Sequence, residues 1–263
     1  MLTRLETYYD SVPRSAARAE EFGPLTLFVR EGGGWPYYAR PALGHTGEVP
    51  LAAVEKVRAR QRELGVPEAF EWVAETTPGL RAAVEESGLV VHEHPLMVLT
   101  AQAEALPVPP DEVTVRMVGA ADPDLEGAVA AQYAAFGATP APGAAAQVAA
   151  RVEAGLTRLA AAFGPDGAAL AAGQHQPVGP VTEVVGVATR PEARRRGLGL
   201  AVTSALVADA RAQGAETVFL TATDDTVARL YARLGFRTIA TALIAEPAET
   251  EPTAETEPAD AEA

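Results

Sequence analysis

Seventeen residues, Glu183-Val184-Val185-Gly186-Val187-Ala188-Thr189-Arg190-Pro191-Glu192-Ala193-Arg194-Arg195-Arg196-Gly197-Leu198-Gly199, constrain this chain more than any others. The β-branched run calls for a strand, and Pro191 breaks it. Leu198, Val202, Ala205 and Leu206 then recur on one side of an amphipathic helix over Leu198–Ala212, with Gly214 beyond its end. A strand that turns sharply into a helix leaves free N–H groups at the helix start. Together with the helix dipole these form an anion-binding nest. Gly197 and Gly199 let backbone approach a phosphate closely, and Arg194, Arg195 and Arg196 add charge, so the segment suits a pyrophosphate. A P-loop is excluded because no Gly-Lys-Ser/Thr follows, and a dinucleotide fold because Gly-x-Gly-x-x-Gly is absent.

The flanking sequence alternates in the same way. Strands are predicted over 114–118, 168–175, 182–189, 217–222 and 236–245. Helices are predicted over 123–136 (capped by Asp122), 144–163 and 226–234 (capped by Asp224 or Asp225, stopped by Gly235). The first half has a similar rhythm: strands over 25–30, 37–40, 69–74 and 90–100, helices over 50–64 and 77–87. Alternation of this kind implies an α/β fold with a mixed sheet and helices on its faces. The parallel between the halves suggests a diverged duplication.

Three prolines within Pro107-Val108-Pro109-Pro110-Asp111 mark a stiff connector. The expected division is residues 1–106, residues 112–245, and a disordered tail over 246–263. That tail has seven acids and no bases, half of the formal charge of −14. It has no apolar residues large enough to offset ordering entropy.

Composition removes several functions. Cysteine is absent, which excludes thiolate catalysis, disulfides and cysteine-bound metals. No run reaches the roughly 20 apolar residues of a membrane span, and the start lacks a signal-peptide pattern. A cytoplasmic protein that does not engage membranes is expected. The acidic body, without basic clusters beyond the three arginines, argues against nucleic-acid partners.

Arg194, Gly197 and Gly199 fill a Gln/Arg-x-x-Gly-x-Gly/Ala pattern behind a strand, and Tyr231-Ala232-Arg233-Leu234-Gly235-Phe236 follows one strand-helix unit later. Over residues 113–245 the chain resembles the GNAT superfamily of N-acetyltransferases, the two stretches matching its motifs A and B. The first half then reads as a degenerate GNAT-like copy that does not bind the cofactor. The resemblance implies acetyl transfer from acetyl-CoA to a primary amine, on a small molecule or a peptide, with no metal. It implies that the backbone of Val187, Ala188 and Thr189 pairs with the pantetheine arm. Arg194, Arg195, Arg196, Gly197, Leu198, Gly199 and Leu200 would hold the pyrophosphate. Asp225 stands where family members often carry an asparagine that contacts pantetheine, so an acid there departs from the pattern.

Amine acylation needs a neutral amine, a stabilised oxyanion and a protonated leaving thiolate. By the same resemblance Glu183 takes the position of a general base and Tyr231 that of the general acid. A strand-end carboxylate in solvent and an aromatic packed on the core are the plainer readings of these two residues. Gln174 and His175 are candidates to line the acceptor pocket, as are Trp35, Tyr37, Tyr38 and Trp72. His92 and His94 share a strand face, but no further ligands accompany them. Two rivals keep the fold. One is a catalytically silent acyl-CoA-binding regulatory module, the other a transferase of aminoacyl groups from tRNA, which the acidic surface disfavours.

Overall fold

The computed structural model describes residues 1–100 and 110–248. The elements run α1 (Leu2–Arg14), β1 (Ala17–Glu21), β2 (Leu25–Arg30), β3 (Ala39–Pro41), α2 (Leu51–Leu64), β4 (Phe70–Val73), α3 (Leu80–Glu86) and β5 (Val90–Leu99). They continue with β6 (Thr114–Val118), α4 (Leu125–Ala135), α5 (Ala144–Glu153), β7 (Arg158–Phe163), β8 (Ala169–Val178) and β9 (Val181–Thr189). A 3₁₀ turn (Pro191–Ala193) leads to α6 (Leu198–Ala212), β10 (Thr217–Thr221), α7 (Asp225–Ala232) and β11 (Phe236–Glu246). Most of the Pro107–Asp111 connector and of the acidic tail lies outside the described residues.

All eleven strands form one mixed sheet in the order β1-β2-β3-β4-β11-β5-β10-β9-β8-β7-β6. The two halves exchange their last strands. β5 of the first half lies between β10 and β11, and β11 of the second lies between β5 and β4. The flanking pairs β9–β10 and β3–β4 are parallel, while the rest of the centre is antiparallel. The two halves that the similar rhythms suggest therefore share one sheet. Neither half has a closed sheet of its own.

The expectation over 144–163 needs correction. The helix stops at Glu153, because Gly155 at φ +70° closes it with N–H bonds from Gly155 and Leu156 back to Val152 O and Arg151 O. Arg158–Phe163 is a strand between β6 and β8, and Leu159 to Phe163 are all buried. A Leu-Ala-Ala-Ala-Phe run carries no period, so position between two strands decides its conformation. Asp122 does not cap α4 either. It accepts the N–H of Asp124 and pairs with Arg116, and the helix begins at Leu125. Two elements had no counterpart in the sequence reading, α1 and β1.

Separate apolar clusters hold the helices to the sheet. Leu198, Val202 and Leu206 of α6 pack on Val184, Val218 and Leu220. On the opposite face Leu5 and Tyr8 of α1 pack on Phe219, Val181 and Leu96. Alternate residues of β9 and β10 therefore point to different layers, Val184 toward α6 and Phe219 toward α1. No helix among the described residues is long and apolar enough to cross a membrane.

Candidate active site

The site is organised by the parting of β9 and β10. They pair in parallel only through Val181, Thr182 and Glu183, opposite Thr217, Val218 and Phe219. Beyond that point β10 keeps pairing with β5 alone. Val184 to Thr189 thus keep β8 on one side and lose their neighbour on the other. Gly186 sharpens the divergence. It takes φ +58° in a bulge opposite Gly173, and its carbonyl accepts the Gln132 amide at 2.7 Å. A Cβ there would stand 2.9 Å from that amide nitrogen, so glycine is required.

At the end of β9 the chain turns into α6. Arg195 holds a left-handed φ of +63°, and Gly197, the N-cap, holds +77°. The N–H of Ala201 is the first to bond back, to Gly197 O at 3.1 Å. Among the described residues no protein acceptor meets the N–H groups of Arg195, Arg196, Gly197, Leu198, Gly199 and Leu200. Six successive donors at a helix start, with open space around Gly197, make the nest that an anion fits. Arg195 and Arg196 reach solvent. The Arg194 side chain, also at the surface, is instead tied to the protein, donating to Thr189 O at 3.3 Å and Ala135 O at 3.1 Å. Leu198 is a core residue whose contribution to the nest is its backbone. Asp224, not Asp225, caps α7 by accepting from Val227 N at 2.8 Å; Asp225 stands exposed in the first turn.

Tyr231 lies on the α6 face of the sheet, edge-on to Phe236 with ring centroids 6.1 Å apart. Burial pushes its phenol above the ordinary value, and a hydrogen bond with Thr203 of α6 opposes the shift. Glu183 lies on the other face, over a cavity of about 450 Å³ between the two halves of the molecule. The structure therefore does not bring Glu183 and Tyr231 into contact; they flank the opening between β9 and β10 from its two sides.

The Tyr9 hydroxyl stands 3.4 Å from Glu183 Oε1 and 3.4 Å from Thr221 Oγ1. Tyr8 accepts the N–H of Glu183 at 3.2 Å and donates to Gln176 O at 2.7 Å, fixing the strand under the carboxylate. Burial, with the nearby charge of Glu71 added, pushes Glu183 up to about 8, against lesser opposing effects of Tyr9 and Arg40. Burial likewise pushes Glu71 up to about 7, with Arg40 opposing. Arg40 is itself committed. It is buried, ion-paired with Glu6, and its guanidinium lies 5.1 Å from the centre of the Tyr9 ring.

Trp35, Tyr37, Tyr38 and Trp72 all line this cavity, as does Gln174, whose amide donates to Gln132 at 2.8 Å. His175 does not. It is buried between Thr182 Oγ1 at 2.8 Å and Asp209 Oδ2 at 3.0 Å, and burial lowers its pKa. His94 meets Thr223 O, and no metal-binding group of three ligands exists among the described residues. The sequence reading missed Tyr8, Tyr9, Arg40, Glu71 and Gln132. Two of these had a signal: Leu2, Leu5, Tyr9 and Val12 follow a helical period, and Glu71 interrupts the apolar run Phe70-Glu71-Trp72-Val73.

Comparison with known proteins agrees with this geometry. Residues 164–244 match the family model described as FR47-like protein. No curated protein matches the chain. Among solved structures, a GCN5-related N-acetyltransferase from Kribbella flavida superposes with a TM-score of 0.73 at 26% identity, over 94% of this chain and 96% of that one. A GCN5-related N-acetyltransferase from Sphaerobacter thermophilus gives 0.63 at 17%, over 86% and 81%. A tandem GNAT protein from the clavulanic acid biosynthesis pathway gives 0.58 at 16%, over 86% and 79%. With its split central strands, its open helix start and these likenesses, the chain has the fold of the GCN5-related N-acetyltransferases.

Proposed function

We propose that this protein transfers an acetyl group from acetyl-CoA directly to a primary amine held in the cavity over Glu183. One observation carries the reading. The gap between β9 and β10 joins a row of free N–H donors at the start of α6 to a cavity holding a carboxylate of raised pKa.

The residues fit the co-substrate. The N–H groups of Arg195 to Leu200 hold the pyrophosphate, with the side chains of Arg195 and Arg196 beside it. Arg194 locks the turn to α4. The unpartnered backbone of Val187, Ala188 and Thr189 pairs with the pantetheine arm as an added strand would, and Asp225 stands at the first turn of α7 to accept from one of its amides. Acetyl-CoA supplies an acyl group activated as a thioester.

The acceptor enters from the opposite face as an ammonium, and Glu183 takes its proton. Moving a proton from an alkylammonium of pKa about 10.4 to a carboxylate near 8 costs about 3 kcal/mol, against about 8 for an ordinary glutamate. Burial thus makes Glu183 a competent base. Tyr231, on the cofactor side, holds a proton for the leaving sulfur.

Calorimetry with acetyl-CoA, followed by a thiol-release assay over an amine panel, tests the reading. Binding and acetyl transfer are the expected result. Binding without transfer to any amine would instead support the silent acyl-CoA-binding module.

A further inference from the structure

The cavity holds one more carboxylate than a single amine acylation uses. Glu183 comes from β9 of the second half and Glu71 from β4 of the first; the charge of Glu71 disfavours ionisation of Glu183, and Arg40 favours ionisation of both. Neither has an ion-pair partner among the described residues. The cation that faces both, Arg40, is already paired with Glu6, which also accepts from Thr76 at 2.6 Å. Two further arginines line the cavity. Arg30 donates to Gly33 O at 2.7 Å and its guanidinium lies 5.0 Å from the centre of the Tyr37 ring, and Arg151 is contributed by α5. Tyr8, Tyr9, Tyr37, Tyr38 and Trp35 supply the aromatic wall. Aromatic faces around carboxylates recognise alkylammonium groups, and the volume suits a small molecule.

We propose that Glu71 is a specificity-determining residue that binds a second protonated nitrogen, so that the natural acceptor is a small di- or polyamine with one nitrogen over Glu183 and the other against Glu71. The inference rests on the acetyl-transfer reading for the acylated nitrogen. Its physical basis is that a dication compensates two dehydrated carboxylates that make no ion pair of their own and whose one shared cation, Arg40, is already paired with Glu6. Burial holds Glu71 near 7, so an arriving cation draws it into the ionised form at neutral pH. A monoamine leaves Glu71 uncompensated.

The test compares matched pairs on the full-length protein: butylamine against 1,4-diaminobutane, and cyclohexylamine against 1,3-diaminocyclohexane. Acetylation is followed by thiol release, and binding by calorimetry without acetyl-CoA. The diamine of at least one pair is expected to exceed its monoamine at least tenfold in kcat/KM and in affinity, and Glu71→Gln is expected to bring that ratio near one. Equal use of mono- and diamines by the native protein overturns the proposal whether or not the variant folds. A folded Glu71→Gln that keeps the preference overturns it as well. Diamine-selective binding that depends on Glu71, without any acetyl transfer, leaves the recognition role standing and removes the transferase reading.

Discussion

The hydroxyl of Tyr9, on the first helix of the chain, stands 3.4 Å from the carboxylate of Glu183, which is 174 residues away at the start of the strand that leads to the nest. The pair shows how the cavity between the halves is built. The second half brings the strand and its carboxylate, and the first half brings the aromatic wall that dehydrates it. Phe219 on β10 packs edge-on against both Tyr8 and Tyr9, at 4.9 and 5.5 Å between ring centres, and so holds the helix in place.

Glu183→Gln is expected to lower kcat/KM about 100-fold or more and to remove the rise in rate expected of the native protein as pH approaches about 8. A pH-rate profile of both proteins checks this, and identical profiles would leave Glu183 a structural residue. Stability changes in the opposite sense. The folded protein retains protons on Glu183 and Glu71 that the unfolded chain releases near 4.3, so stability is fully present below that value and falls as pH rises through about 7 to 8. Above pH 8 Glu183→Gln should therefore melt a few degrees higher than the native protein in calorimetric scans.

Tyr231→Phe is expected to reduce kcat about 10- to 100-fold with little change in acetyl-CoA affinity, since its ring stays packed on Phe236. Steady-state kinetics together with calorimetry separates the two quantities. Native turnover in the variant would exclude the acid role.

Gly197→Trp should abolish acetyl-CoA binding. A Cβ at Gly197 would meet no protein atom within 4 Å, so the backbone can carry a side chain there, and an indole crowds the nest. The left-handed φ of +77° adds about 1–2 kcal/mol of strain. Unchanged affinity by calorimetry would remove the nest from the argument.

His175→Ala should cost stability and spare chemistry. The side chain joins Thr182 to Asp209, and Arg158 shares that aspartate. Losing it strands buried polar partners, at about 1–3 kcal/mol. A lower melting temperature with an unaltered pH-rate profile at permissive temperature is expected; an altered profile would return His175 to the acceptor site.

Residues 110–263 expressed alone should not fold cooperatively, because β10 and β11 of that half are separated by β5 of the other. Adding residues 1–106 in trans should restore a melting transition. A stable, monomeric second half would show that the strand exchange is dispensable.

Local sequence determined the nest and its approach. Val184 to Thr189 must be extended, Pro191 must end the strand, and glycine must stand where the helix opens at positive φ, because these are properties of single residues and their neighbours. Helix α6 was legible to its last residue for the same reason, and so was the succession of Tyr231 on α7, Gly235 and Phe236 at the start of β11. Tertiary structure decided everything that depends on distant residues meeting. An alanine-rich run became strand β7 because it lies between two strands, and the halves became one sheet because each accepts the other's last strand. Glu183 reads the same in sequence whether it stands in water or in a cavity. Only burial against the first half, with the charge of Glu71 added, removes its water and pushes its pKa up to about 8, while Tyr9 and Arg40 oppose the shift. Dehydration is a property of the assembled surroundings and leaves no mark on the residue's own stretch of chain.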